Sequence, residues 1–338
     1  MAGIAALVAL VLMAPPQSIA QDDDEGADSK DVREYKYVKG SAEITAAFAS
    51  KKLKIESGLA AKDRLQYAAM LSGEMTAAGE GVATRIANTT NVQLNVDLKE
   101  HKDATELDAE FRMARMDIEQ DHDGKKLSFS AFSGKDSGNG KIWIDGKPAE
   151  RDETEALPNP SRVGSKLKDP VAFARIGDNN ELSRAAHAAE VNTSDAKNLP
   201  QHIVDPLVFA RLLFAGYADR EIAVGEAVEI KANLALDTAR GETHPYTIKL
   251  TLRKVFGEGE KAASAQFEVS AMPAAGELRL SDTISVTPPE LSGTMLLDVT
   301  KGVVASASLS GSYKSAKGAS IEGTVKINLD LESKKGSK

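Results

Sequence analysis

The last long segment of this chain constrains its fold more than any other. Ile321, Val325, Ile327, Leu329 and Leu331 alternate with Glu322, Thr324, Lys326, Asn328 and Asp330. A two-residue period places the apolar side chains on one face of an extended strand and the polar ones on the other. Burying a large aliphatic side chain contributes about 1.5–3 kcal/mol, while fixing each backbone residue costs about 1–2 kcal/mol. A lone strand of this kind therefore cannot hold. Its apolar face must lie on a core shared with other strands, and its polar face predicts an antiparallel sheet with one side in water.

The same pattern runs through both halves. Val92, Leu94, Val96 and Leu98 alternate with Gln93, Asn95, Asp97 and Lys99. Leu107, Ala109, Phe111 and Met113 repeat it, and the apolar phase then jumps to Met116 and Ile118. A change of face within one strand needs an extra residue, which predicts a β-bulge near Ala114-Arg115. Asp123-Gly124 reads as a tight hairpin turn into Leu127, Phe129 and Ala131. Leu65, Tyr67, Ala69 and Leu71 favour a strand, although the alanine-rich stretch to Thr76 also permits a helix. Further on, Tyr246, Ile248, Leu250 and Leu252 form one strand and Ala265, Phe267 and Val269 the next. Met295, Leu297 and Val299 then pass through Lys301-Gly302 into Ala305, Ala307 and Leu309.

One segment reads as a helix. Asp205 suits the N-cap and Pro206 the first helical position, Val208, Phe209, Leu212 and Leu213 follow at helical spacing, and Gly216 closes the end. Asp169-Pro-Val-Ala-Phe-Ala-Arg-Ile176 copies Asp205-Pro-Leu-Val-Phe-Ala-Arg-Leu212, yet the turn residues Gly177-Asp-Asn-Asn180 permit a hairpin there instead. The expected fold is mainly β (α+β), a curved antiparallel sheet of two meanders, about 41–165 and 222–333, wrapping one or a few helices. A helix-containing connection, 166–221, joins them within a single β-rich domain, 41–333, and a basic tail follows at 334–338.

The N-terminus addresses compartment. The apolar run Ile4–Met13 is short for a bilayer span and has the length of a signal-peptide core. Ser18 and Ala20 are small residues at the −3 and −1 positions for cleavage after Ala20, so 1–20 reads as a signal peptide. No Lys or Arg precedes the run, and a membrane anchor is the alternative. Residues 21–40 read as an acidic linker opening on Gln21-Asp-Asp-Asp-Glu25, a solvated spacer rather than a calcium site. Export to the periplasm or beyond is expected. A net charge of −8 argues against nucleic acid and anionic lipid surfaces as partners. With no cysteine, the chain has no disulfide staple, thiolate nucleophile or lipoprotein attachment residue.

Tyr35-Lys-Tyr-Val-Lys-Gly40, Ala223-Val-Gly-Glu226 and Gly293-Thr-Met-Leu-Leu-Asp298 before Lys301-Gly302 add a further pointer. With the long alternating strands, they resemble uncharacterised secreted bacterial β-rich proteins. Such chains are similar to the half-barrel fold of lipoprotein carriers, where a curved sheet wraps helices. The resemblance implies a half-barrel-like fold and transfers no functional residue.

No local motif carries chemistry. The histidines His101, His122, His187, His202 and His244 form no ligand pair at zinc spacing. Gly134-Lys-Asp-Ser-Gly-Asn-Gly-Lys141 misses phosphate-loop spacing, with Ile142 where Ser or Thr should stand. Ser165-Lys-Leu-Lys168 and Ser194-Asp-Ala-Lys197 lack the companion elements of a serine acyl-enzyme. Asn88-Thr-Thr90 and Asn192-Thr-Ser194 match the glycosylation triplet, which also arises by chance. No catalytic, metal or cofactor-binding residue is assigned, and no cofactor is expected.

Inward positions are often small, as at Ala263, Ala265, Ala271, Ala305, Ala307, Gly311 and Gly323. Such a face admits a closely packed helix or leaves room for an apolar ligand. The candidate cavity wall is Phe209, Leu212, Leu213, Ile248, Leu250, Phe267, Val269, Ile327 and Leu329, with a filled core as the plain alternative. Three function classes follow: binding of a lipid or other apolar ligand in the cell envelope, a structural or protein-interaction module, and a hydrolase whose residues converge from distant strands.

Overall fold

The computed structural model describes residues 33–35, 42–79, 82–149, 159–167, 169–187, 206–234, 243–279, 285–317 and 320–332. The leader 1–20, most of the linker, Asp205, His202, Asn192 and the basic tail lie outside the described residues. No helix among the described residues is long and apolar enough to cross a membrane.

Alternation becomes strand wherever it was read. The first half holds β1 (Asp63–Gly79), β2 (Val82–Glu100), β3 (Leu107–His122), β4 (Lys125–Phe132) and β5 (Lys141–Ile144). Then come helix α1 (Pro160–Leu167), the hairpin β6 (Ala172–Ile176) and β7 (Leu182–His187), and helix α2 (Pro206–Leu213). The second half holds β8 (Ala227–Leu234), β9 (His244–Glu258), β10 (Lys261–Pro273), β11 (Glu290–Asp298), β12 (Val303–Lys317) and β13 (Ser320–Leu331).

The two meanders are one sheet. β13 pairs with β1 over twelve residues, from Ser320↔Ala78 to Leu331↔Tyr67. The long strands therefore run antiparallel in the spatial order β8-β9-β10-β11-β12-β13-β1-β2-β3. Beyond β3 the sheet forks. Residues Arg115–His122 pair with β4, while Leu107–Phe111 pair with β6. The fork falls at the expected bulge: Arg115 faces Gln93 and Met113 faces Leu94, which leaves Ala114 as the extra residue. That one residue returns Met116 and Ile118 to the core face, where both are buried.

The helices lie within the curve of the sheet. α2 packs against both β7 and β8, which among the described residues pair with β6 and with β9 respectively. It thus lies between these two edges of a sheet that does not close on itself. Leu207, Val208, Phe209, Ala210, Leu212 and Leu213 are all buried, as a helix enclosed on every side requires. The amide of Leu182 donates to the carbonyl of Phe214 (2.9 Å), which ties the end of α2 to β7. α1 packs on β4 and β3, with Val163 and Leu167 in the core. Its start repeats the signal of α2: Pro160 follows Asn159, whose Oδ1 accepts from the amide of Ser161 at 3.0 Å. The copied segment from Asp169 takes its other option. Ala172, Ala174 and Ile176 point into the core from β6, because pairing on both sides outweighs the local helical pattern.

Candidate ligand-binding face

All nine residues of the candidate wall are buried and belong to one core cluster. Ile248, Leu250, Phe267 and Val269 enter it from β9 and β10, Ile327 and Leu329 from β13, and Phe209, Leu212 and Leu213 from α2. Ala265, beside them, has no exposed surface. Around these residues α2 fills the space that the small inward side chains leave.

This end of the sheet is sealed by a polar knot. Asp298 Oδ1 accepts from the amide and hydroxyl of Thr300 (2.9 and 2.7 Å) and the amide of Lys301 (3.2 Å). Tyr35 donates to its other oxygen. Lys301 Nζ donates to the carbonyl of Gly58 at 2.6 Å and to Asp63 at 3.1 Å. Asn180, 1% exposed, donates to the carbonyls of Lys301 and Gly302 (2.8 and 3.0 Å) and accepts from Ser57 at 3.2 Å. Gly302 has φ +62°, and a Cβ there would lie 2.7 Å from Ala218 Cβ and the carbonyl oxygen of Glu56. Only glycine fits that turn. A two-stranded pairing of Leu53–Ile55 with Arg220–Ile222 adds Leu53, Ile55 and Ile222 to the same core. The phenols of Tyr67 and Tyr217 are pushed well above their usual range by burial. They remain neutral donors, to the carbonyls of Val304 (2.9 Å) and Leu212 (2.7 Å). The carboxylates of the knot are thus held by structural partners.

The other end differs. One cross-strand row runs Ile230, Ile248, Ala271, Leu291, Gly311, Val325, Gly73, Asn88, Gln120 and Leu127, each residue opposite the next. Its first four members are buried, from 0% to 4% exposed. From Gly311 on β12 to Leu127 on β4, every member is only half-buried. Leu71, one step closer to the sealed end, is half-buried as well. Towards the strand tips a second, smaller cluster forms from Leu278, Val286 and Ile321, with Met75, Ala77 and Tyr313 against it. Between the two clusters the inner face holds Gly311, Val325, Gly73, Asn88 and Gln120, all half-buried, with Leu291 packed at Gly311 and the Tyr313 ring over Gly323.

Sequence reasoning placed these nine residues on one apolar face and missed this stretch. Its signal is the break in β2, where the inward series Leu94 and Val92 continues as Thr90 and Asn88. Asn88 lies mid-strand with its Oδ1 buried. The glycine-rich segment before β5 is a short 3₁₀ turn, Gly134–Asn139. No group of three or more metal-binding side chains occurs among the described residues.

The outer face is polar. Asp97, 4% exposed, pairs with Arg64 on β1 and Arg112 on β3, and the carboxylate holds the Arg64 guanidinium above its ordinary value. This network joins three strands. It offers no cleft.

No protein-family model and no curated protein sequence matches the chain. Among solved structures, the fold is similar to one described as lipid-protein interactions in lipovitellin, at a TM-score of 0.42 and 8% identity. That similarity covers 84% of this chain and 26% of the other, so the chain spans about a quarter of the lipovitellin. DynF from the dynemicin biosynthesis pathway of Micromonospora chersina follows at a TM-score of 0.25 and 7% identity, covering 93% of this chain and 96% of that one. Similarities at this level carry no information about ligand or activity. The fold is that of a β-rich protein whose curved antiparallel sheet wraps two helices among the described residues.

Proposed function

We propose that this protein binds a lipid or another apolar ligand on the inner face of its sheet, and that it does so after export, in the cell envelope or outside the cell. The observation that carries the reading is the row from Ile230 to Leu127. One continuous inward face passes from a filled core into a half-open stretch, with Leu71 and Val325 at the transition. Half-open apolar surface on a concave face is where a ligand gains most from leaving water. The nine wall residues form the packed floor of this site. Ile327 lies directly below Val325 on β13, so floor and open stretch are one surface.

The alternatives are less well supported. A protein-interaction module would favour a free edge strand; α2 packs against β7 and β8, while the branch through β4 and β5 carries a further edge. A hydrolase would favour a histidine facing converging carboxylates in a cleft. His101 faces two carboxylates, Asp108 at 3.0 Å and Glu106 at 3.8 Å, but Arg175 pairs with both of them, and His244 contacts the carbonyl of Ala274 at 2.9 Å.

The test is organic extraction of the purified full chain followed by mass spectrometry, with titration by the neutral fluorophore phenylnaphthylamine. Saturable binding that Val325→Asp abolishes, with the melting temperature retained, supports the reading. Absence of both a co-purified lipid and saturable fluorophore binding overturns it.

A further inference from the structure

Asn88 faces inward beside Thr90 and Gln120 on the half-buried part of the row. Its Oδ1 is buried and accepts no hydrogen bond. An acceptor stripped of water without a donor carries a desolvation cost that a fold removes unless something else requires the group. Its cross-strand partner on one side is Gly73, and on the other Gln120. A Cβ built at Gly73 would meet a single neighbouring atom within 4 Å, the carbonyl oxygen of Thr324 at 3.2 Å. No side-chain atom thus lies within 4 Å of that Cβ, across from the strand that carries the unpartnered acceptor. The terminal torsion of asparagine is broad, so the carboxamide can turn its oxygen towards that space. Below it lie Leu71 and Val325, both apolar and half-buried.

We infer that the ligand is a neutral amphiphile, whose hydroxyl or amide N–H donates to Asn88 Oδ1 over Gly73 while its chain lies along Leu71 and Val325. This rests on the apolar-ligand reading and narrows it to one chemical class. A hydrocarbon leaves the acceptor unpartnered. An ester lacks a donor. A carboxylate adds a buried charge with no cation on the row to receive it.

The experiment is competition against phenylnaphthylamine with four ligands of equal chain length: hexadecanol, palmitamide, methyl palmitate and hexadecane. Hexadecanol and palmitamide are expected to compete roughly tenfold better than the other two, the scale of one hydrogen bond. Asn88→Leu should erase that preference, so that the four ligands compete alike. Gly73→Val, which fills the space and keeps Asn88, should weaken the alcohol and the amide most. Equal competition by all four ligands in the wild type overturns the inference and leaves apolar binding intact. Failure of the fluorophore to bind at all overturns the apolar-ligand reading itself. If Asn88→Leu does not fold, the wild-type ranking decides alone.

Discussion

The two ends of the inner face are built from the same strands and the same alternation, yet they solve different problems. At the sealed end, α2 occupies the concavity and Asp298, Lys301 and Asn180 tie the β11–β12 turn to neighbouring loops. At the open end, the inward positions of β12, β13, β1 and β2 include Gly311, Gly323, Gly73 and Asn88, and the row stays half-buried. A two-residue period fixes which side chains share a face. It leaves open whether that face is covered, because the cover comes from elements distant in sequence. Stability should therefore concentrate at one end and binding at the other.

Mutations can break or sharpen that contrast. Phe267→Ala, at a position with no exposed surface, should cost the most, about 3–5 kcal/mol in denaturant unfolding. Asp298→Ala removes the acceptor of Thr300, Lys301 and Tyr35. A loss of about 1–3 kcal/mol is expected for each donor left buried without a partner, and a change below about 0.5 kcal/mol would show the knot to be unimportant for stability. Ala265→Phe should overpack the floor and lower stability by about 1–3 kcal/mol in thermal melts. At the open end, Val325→Ala should cost less than about 1 kcal/mol, because the side chain is only partly removed from water. It should nonetheless weaken phenylnaphthylamine binding more than Ala265→Phe does. A reversal of those two rankings would dissolve the division of labour.

The smallest effect concerns Asp330 on the outer face. Burial raises its carboxyl above the ordinary range, so the folded state binds that proton more tightly than the unfolded state does. The cost of carrying the charge appears as pH rises through the carboxylate range. Asp330→Asn should accordingly melt slightly higher than the wild type near neutrality, and the two curves should converge on acidification.

Much of the fold was legible because local signals and pairing agree. The phase jump after Met113 marks Ala114 as the bulged residue. Asp123 and Gly124 both take the positive φ of a tight hairpin, 51° and 88°. The nine wall residues lie in one core because alternation and the 3.6-residue helical period both point there. Where signals competed, partners at a distance decided. Asp169–Ile176 and Asp205–Leu212 share a pattern, yet one yields a strand zipped between β3 and β7 and the other a helix. α1 was announced by Asn159-Pro160 in the same terms as α2 by Asp205-Pro206, but its short apolar stripe of Val163 and Leu167 gave little periodicity to read. The half-open row is the least legible part, because exposure depends on which strands α2 and α1 cover. The inward Asn88 was its one trace in the sequence.

Photo-crosslinking with hexadecanol carrying a mid-chain diazirine tests the central claim most directly. The wild-type protein is irradiated at saturation, digested and sequenced by mass spectrometry. Labels are predicted on β1 around Leu71–Met75 and on β13 around Gly323–Val325, and an excess of unlabelled hexadecanol should suppress them. Labels confined to the polar outer face, or scattered without competition, would contradict a ligand site on the inner face of this sheet.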